Sequence, residues 1–284
     1  MLVRLRTLLH QFNHSKALTT SLPSNLNHPQ SIMSTEHKHS AACCTIPPVI
    51  SEGYKEKGEY KEFAGLNTYF TGPTDTGKTI IVYYDIFGYF PQTVQGIDML
   101  AASTCSLVLM PDFFRGKYMD VSVYPPKNDE NRKAIANFIQ TTANFQDRLK
   151  ETEAIVEALK KDGRTKLGVM GYCWGGKMAT LAGATGNFEA IASIHPAAVN
   201  ANDAERLKAP IAMYVSKDED EAECKKFMDI LASKPLAAKN EYKCYGTMVH
   251  GWAAARADLK DPERLKEYED VYGKLAAFFS ANMS

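Results

Sequence analysis

Cysteine and tryptophan are scarce in this chain, with six and two residues among 284. The cysteines stand at positions 43, 44, 105, 173, 224 and 244, in no C-x-x-C pair and at no dense spacing. That excludes a zinc ribbon or a disulfide framework and makes a reducing, intracellular compartment the simpler inference. An excess of one sign of charge is missing too, since 33 basic residues balance 33 acidic ones. A broad electrostatic footprint for nucleic acid is therefore not expected. No apolar run approaches the ~20 residues that a bilayer-spanning helix needs, so no membrane span is expected either.

The first 35 residues lack Asp and Glu altogether. Among them Arg4, Arg6 and Lys16 are interleaved with Leu2, Val3, Leu5, Leu8 and Leu9, and Ser and Thr follow, which is the composition of a mitochondrial transit peptide. A disordered tail fits the same residues, as does a translation start at Met33 ahead of Ser34-Thr35-Glu36. Each reading leaves residues 1–41 as an extension outside a domain spanning 42–284. The expected location is cytoplasmic, or mitochondrial if residues 1–35 act as a targeting segment. Five of the seven histidines lie in the extension, too loosely spaced to define a metal site. No metal and no cofactor is expected, and the role of the Cys43-Cys44 pair stays open.

From Pro47 onward the pattern is that of one compact domain. Extended segments between Lys61 and Gly72 precede a turn, after which strand-like and helix-like segments alternate. Strands are expected at Thr79–Asp85, Leu107–Pro111, Leu167–Met170, Ala190–Ile194, Ile211–Val215 and Glu241–Tyr245. Helices are expected at Thr93–Ser103, twice within 130–161, after Cys173, at Glu221–Leu231 and from Pro262. Strands separated by helices imply crossover units, and hence an α/β fold with a mainly parallel sheet covered on both faces.

The most informative stretch is Val169-Met170-Gly171-Tyr172-Cys173-Trp174-Gly175-Gly176-Lys177. An apolar strand runs into it and a helix runs out, so Cys173 sits on a strand-to-helix turn of the nucleophile-elbow form, with cysteine where serine usually stands. Gly171 and Gly175 let strand and helix approach. The side chain projects at a helix N-terminus, where unpaired amides and the dipole favour a thiolate and a developing oxyanion. An ordinary glycine-rich packing turn is the plain alternative. What separates the two is whether an acid and a histidine follow in that order at later strand ends.

They do. The strand Ile211–Val215 runs into Ser216-Lys217-Asp218-Glu219-Asp220. Asp218 is taken as the orienting acid because it is nearest the strand end, with Asp220 as its rival; either could instead cap the following helix. After the last strand comes Val249-His250-Gly251-Trp252, which supplies the base. His195 also follows a strand but precedes the acid, so it is assigned a structural place lining the pocket. In the resulting chemistry His250 takes the thiol proton, Asp218 fixes its tautomer, and the thiolate attacks an ester-like carbonyl. The N–H groups of Trp174 and Ile86 form the expected oxyanion hole.

Gly171-Tyr172-Cys173-Trp174-Gly175-Gly176, together with Asp85-Ile86-Phe87-Gly88, Pro111-Asp112-Phe113-Phe114-Arg115-Gly116 and His250-Gly251-Trp252, resembles the dienelactone hydrolase family of the α/β-hydrolase superfamily. The likeness runs from about residue 42 to the C-terminus and is nearest to fungal-type members. It implies the α/β-hydrolase fold and a Cys-Asp-His triad that opens small lactones and activated esters, with Cys173, Asp218 and His250 in the three roles. It also implies a small-molecule partner and a monomer or homodimer. Asp85 stands where family members acting on the dienelactone carry a glutamate that gates the thiol. Arg115 and Arg256 are the nearest counterparts of two substrate-binding arginines, each displaced by one or two residues. Trp174 and Trp252 are expected as aromatic pocket walls or as core. Two other readings of the chain are a non-catalytic binding protein of the same fold and a thiol redox sensor.

A chain beginning at Met33 should keep full esterase activity, because the extension contributes no shared core. Activity assay and fractionation of cells expressing both lengths check this; loss of folding on truncation contradicts it.

Overall fold

The computed structural model describes residues 53–120 and 126–283. The extension 1–41, its targeting segment, Met33, the pair Cys43-Cys44 and the expected start of the domain lie outside the described residues.

A hairpin opens the fold: β1 (Glu59–Phe63) and β2 (Leu66–Thr71) pair antiparallel with Phe63 opposite Leu66. The two loop residues, Ala64 and Gly65, both take positive φ, the mirror-image turn whose twist matches that of the strands. Next come β3 (Lys78–Tyr83), α1 (Pro91–Thr104), β4 (Leu107–Pro111), α2 (Asp129–Gln140) and α3 (Phe145–Lys161). They are followed by β5 (Lys166–Tyr172), α4 (Trp174–Gly183), β6 (Ala190–Ile194), the single turn α5 (Asp203–Arg206) and β7 (Ile211–Ser216). The chain ends with α6 (Glu221–Ala232), β8 (Glu241–Tyr245) and α7 (Pro262–Asn282). The four-residue α5 and a 3-10 turn at Ala237–Lys239 were not expected, being too short to show a periodicity.

All eight strands form one sheet in the order β1-β2-β4-β3-β5-β6-β7-β8. β2 meets β4 antiparallel, and every pairing from β4 through β8 is parallel. This is an α/β-hydrolase fold. Strands β4, β6 and β7 are buried at every residue, as parallel strands covered on both faces must be. On β5, Gly168 lies against Phe279 and Met283 at the C-terminal end of the chain, whereas Gly171 lies against Gly175 of α4. Those two positions point to opposite faces of a strand, so α7 and α4 sandwich β5 between them.

Asp98 in α1 anchors the incoming chain. Its buried carboxylate accepts from Tyr54 Oη at 2.5 Å, Tyr69 Oη at 2.9 Å and the Lys57 N–H at 3.0 Å. A tyrosine network closes the far side. Tyr172 Oη donates to Tyr272 Oη at 2.7 Å, and Tyr272 in turn donates to the Ala253 carbonyl at 3.0 Å. Helix α7 thereby ties the end of β5 to the loop after β8.

Helix α4 also packs closely on the end of β3. A Cβ built on Gly175 would lie 2.3 Å from the Tyr83 carbonyl oxygen and 2.6 Å from that of Tyr84, both main-chain atoms. Gly175→Ala should therefore force α4 off β3 and cost about 1–3 kcal/mol, lowering Tm by roughly 3–10 °C. Thermal unfolding of the purified variant reads this directly, and an unchanged Tm would show that the interface yields freely.

Candidate active site

Cys173 occupies the one residue between β5 and α4, with φ 54° and ψ −114°. A non-glycine residue in that region is strained and persists only where its surroundings hold it. Here they do: Cys173 donates its N–H to the Ile194 carbonyl at 3.1 Å, and its own carbonyl accepts from Gly176 N at 3.1 Å and Ala197 N at 2.9 Å. The elbow is pinned between α4 and the end of β6. The half-buried thiol stands at the N-terminus of α4, where the first N–H groups have no intrahelical acceptor.

The sheet register aligns the expected oxyanion donors. Tyr83 of β3 lies opposite Gly171 of β5, so Ile86 and Trp174 each fall three residues beyond a paired position, at the same carboxyl edge. Ile86 is buried, and its carbonyl accepts from Met119 N at 2.9 Å, fixing the loop after β3 to the 112–119 segment. The side chain of Trp174 points into the core, among Tyr83, Phe113, Phe114 and Phe145, with Nε1 donating to the Ala143 carbonyl at 2.8 Å. It is core and not a pocket wall.

His250 sits in the loop after β8 and is buried. Two carboxylates from the loop after β7 engage it, in different ways. Asp218 Oδ2 accepts from the main-chain N–H of His250 at 2.8 Å. The imidazole itself meets Glu219, with Nδ1 at 2.7 Å from Oε1. The sequence reading placed Asp218 on the ring, and the structure puts its neighbour there. The reason lies at Ser216, whose N–H donates to Glu219 Oε2 and whose hydroxyl donates to Oε1 at 3.2 Å. These bonds fold the longer side chain back over the strand end toward the ring. The shorter Asp218 is left to clamp the backbone. Asp220, the rival, is the N-cap of α6 and accepts from Glu223 N at 3.0 Å.

Asp85 is a strap across the site. Its Oδ1 accepts from Phe87 N at 2.9 Å and its Oδ2 from Ala255 N at 3.2 Å, joining the loop after β3 to the loop that carries His250. Burial is the main influence on this carboxyl and raises it from the ordinary 3.8 to about 6, against the pull of the two amides and of His250 and Arg256.

The remaining candidates fall in different places. Arg115 is half exposed and holds Glu151 of α3 at 2.6 Å. Arg256 is 3% exposed and lies over Gly251, whose φ of 91° leaves room only for a hydrogen: a Cβ there would come 2.7 Å from Arg256 Cδ. Trp252 is buried and packs on Tyr245 with the rings tilted by 41° and centroids 4.4 Å apart, so it too is core. His195 is fully buried, and its ring packs edge-on against His250 with centroids 5.1 Å apart. Sequence reasoning missed both this contact and Glu219. The run of three acids was visible, but which of them turns back depends on a serine at the last strand residue. Among the described residues no cluster of His, Cys, Asp and Glu could hold a metal ion, and no helix is long and apolar enough to cross a membrane.

An eight-stranded, mostly parallel sheet with a strained residue between β5 and α4 and a buried histidine beyond β8 defines the class, an α/β-hydrolase. The model of the dienelactone hydrolase family matches residues 66–283, and the chain belongs to that family. An uncharacterized AIM2 family protein of Schizosaccharomyces pombe is 34% identical over 249 residues, covering 86% of this chain and all of the relative. A carboxymethylenebutenolidase homolog of Pongo abelii is 28% identical, over 74% of this chain and 84% of its own. Among solved structures, an esterase/lipase from an uncultured bacterium superposes with a TM-score of 0.57 at 11% identity, covering 93% of this chain and 94% of that one. The protein is thus an enzyme of the ester- and lactone-hydrolysing type.

Burial of Asp85 gives stability a pH dependence of known sign. A carboxyl whose folded pKa lies above its unfolded value favours the fold fully below pH ~4, and loses that contribution as pH rises through about 6. Wild type should therefore lose roughly 2 kcal/mol relative to Asp85→Asn between pH 4 and pH 7. Denaturant unfolding of both proteins across that range checks it; a pH-independent difference contradicts it.

Proposed function

We propose that the chain hydrolyses a small lactone or carboxylic ester through Cys173 as nucleophile, His250 as base and Glu219 as the acid on the imidazole. The observation that carries this reading is the strained Cys173 backbone at the head of α4, held by hydrogen bonds on both of its peptide groups. Strain of that kind holds a side chain out on a strand-to-helix turn, the placement a nucleophile needs.

With Nδ1 of His250 donating to Glu219, Nε2 is the nitrogen that accepts the thiol proton. The thiolate attacks the carbonyl carbon, and the oxyanion takes hydrogen bonds from the N–H groups of Trp174 and Ile86. Collapse of the tetrahedral species breaks the bond to the alkoxy oxygen, which leaves with the proton from His250. Water, deprotonated by the same imidazole, then cleaves the thioester and restores the thiol. Asp218 takes the role of a clamp on the His250 main chain. Arg115 is engaged by Glu151, and Arg256 is buried near Asp85, which favours an uncharged substrate over an anionic one.

Assays of p-nitrophenyl esters and a lactone panel test the reading. Cys173→Ala should abolish turnover and Cys173→Ser should lose most of it, because a hydroxyl is far less acidic than a thiol. Glu219→Gln should lower kcat by about 10²–10⁴-fold. Asp218→Asn, which retains an oxygen for the His250 N–H, should lower it by only about tenfold or less. A fully active Cys173→Ala overturns the reading, and a larger loss in Asp218→Asn than in Glu219→Gln returns the acid to Asp218.

A further inference from the structure

His195 is costly as it stands. Its side chain is 0% exposed, its φ of 36° is strained, and neither ring nitrogen has a partner beyond the residue's own backbone among the described residues. A buried donor and acceptor left unmade are destabilising, and an apolar ring of the same shape would avoid that cost. Structure alone does not account for an imidazole here.

Its surroundings supply a reason. Ile194 and Ala197, on either side of it, hold both peptide groups of Cys173, so the position of His195 is coupled rigidly to the nucleophile. The N–H of His195 donates to the Tyr214 carbonyl at 2.7 Å, locking it to β7 as well. The ring lies against Tyr172, with centroids 5.9 Å apart, and meets His250 edge-on at 5.1 Å. The two planes are inclined at 64°, a T-shaped contact that limits how one ring can turn against the other. Glu219 meets one edge of the His250 ring, and His195 packs against the ring itself.

We propose that His195 is a positioning residue for the base: an uncharged aromatic wall that sets the plane of the His250 ring and steadies the imidazolium formed when His250 takes the Cys173 proton. This rests on the reading of Cys173 and His250 as nucleophile and base. Burial pushes the imidazole of His195 well below its ordinary pKa, and a charged His250 and Arg256 push it the same way, so His195 does not compete for the proton. Glu219 from the loop after β7 and Asp85 from the end of β3 favour charge on His250. Asp218 adds negative charge at its main chain, and Arg256 opposes from its own loop. His195 thus stays the neutral member of the pair.

The test compares His195→Phe, which keeps an aromatic face, with His195→Leu and His195→Gln, which do not. Two quantities are measured: the pH dependence of Cys173 alkylation by iodoacetamide, and kcat and KM separately on a p-nitrophenyl ester. His195→Leu should move the alkylation midpoint up by about one pH unit and lower kcat about tenfold, with KM changed less than about twofold. His195→Phe should stay within about threefold of wild type and melt no lower, since it removes the orphaned polar atoms. If His195→Leu does not fold, His195→Gln should give the same losses. Alkylation curves of the non-aromatic variants that superimpose on wild type overturn the proposal, as does His195→Phe impaired as badly as they are. Alkylation needs no substrate, so failure of the hydrolase reading looks different: wild type turns over no ester, yet the midpoint shift persists.

Discussion

The close approach of α4 to the end of β3 is the constraint from which the site follows. With no room for a Cβ on Gly175, the helix starts directly above the carbonyls of Tyr83 and Tyr84, and the chain leaving β5 has a single residue in which to turn. That residue is Cys173, and the turn forces its φ positive. Strain there is offset by hydrogen bonds to the Ile194 carbonyl and from the N–H groups of Gly176 and Ala197. Packing in the sheet thus presents a thiol at a helix N-terminus, which is also the electrostatic setting that most favours a thiolate.

The histidine is held by a different principle. His250 lies on a loop, and loops are ordinarily mobile. This one is tied down at its main chain from three directions: by Asp218 at His250 itself, by Asp85 at Ala255 and by Tyr272 at Ala253. The ring then meets Glu219 through Nδ1 and His195 edge-on. Asp85 is buried at a cost that grows as it ionises, yet its carboxylate joins the main chains of two loops. Stability is given up at neutral pH for a fixed distance between the elbow side and the histidine side of the cleft.

Much of this was legible in the sequence. The strands from Thr79 onward and the helices between them announced themselves by apolar runs and periodicity, and their observed ends differ by a residue or two. Cys173 and His250 were legible because each sits in a glycine-bearing turn whose spacing has few other uses. Which carboxylate meets the imidazole was not, because consecutive residues beyond a strand point in different directions and β7 runs one residue further than expected, to Ser216. That serine hands Glu219 back to the ring. For the two tryptophans near the site, pocket wall and core both stayed open, because proximity in sequence carries no information about which side of the sheet a ring packs on. Trp174 is buried among Phe114 and Phe145, and Trp252 lies on Tyr245.

The central claim is that the strained thiol becomes covalently acylated. Mixing the enzyme with a p-nitrophenyl ester, quenching in acid before the steady state and weighing the tryptic peptides tests it directly. The account predicts that the acyl mass appears on the peptide containing Cys173 and accumulates in Glu219→Gln, where the base that activates water is poorly oriented. Steady ester turnover with Cys173 never acylated, or with the acyl group on another residue, would contradict it.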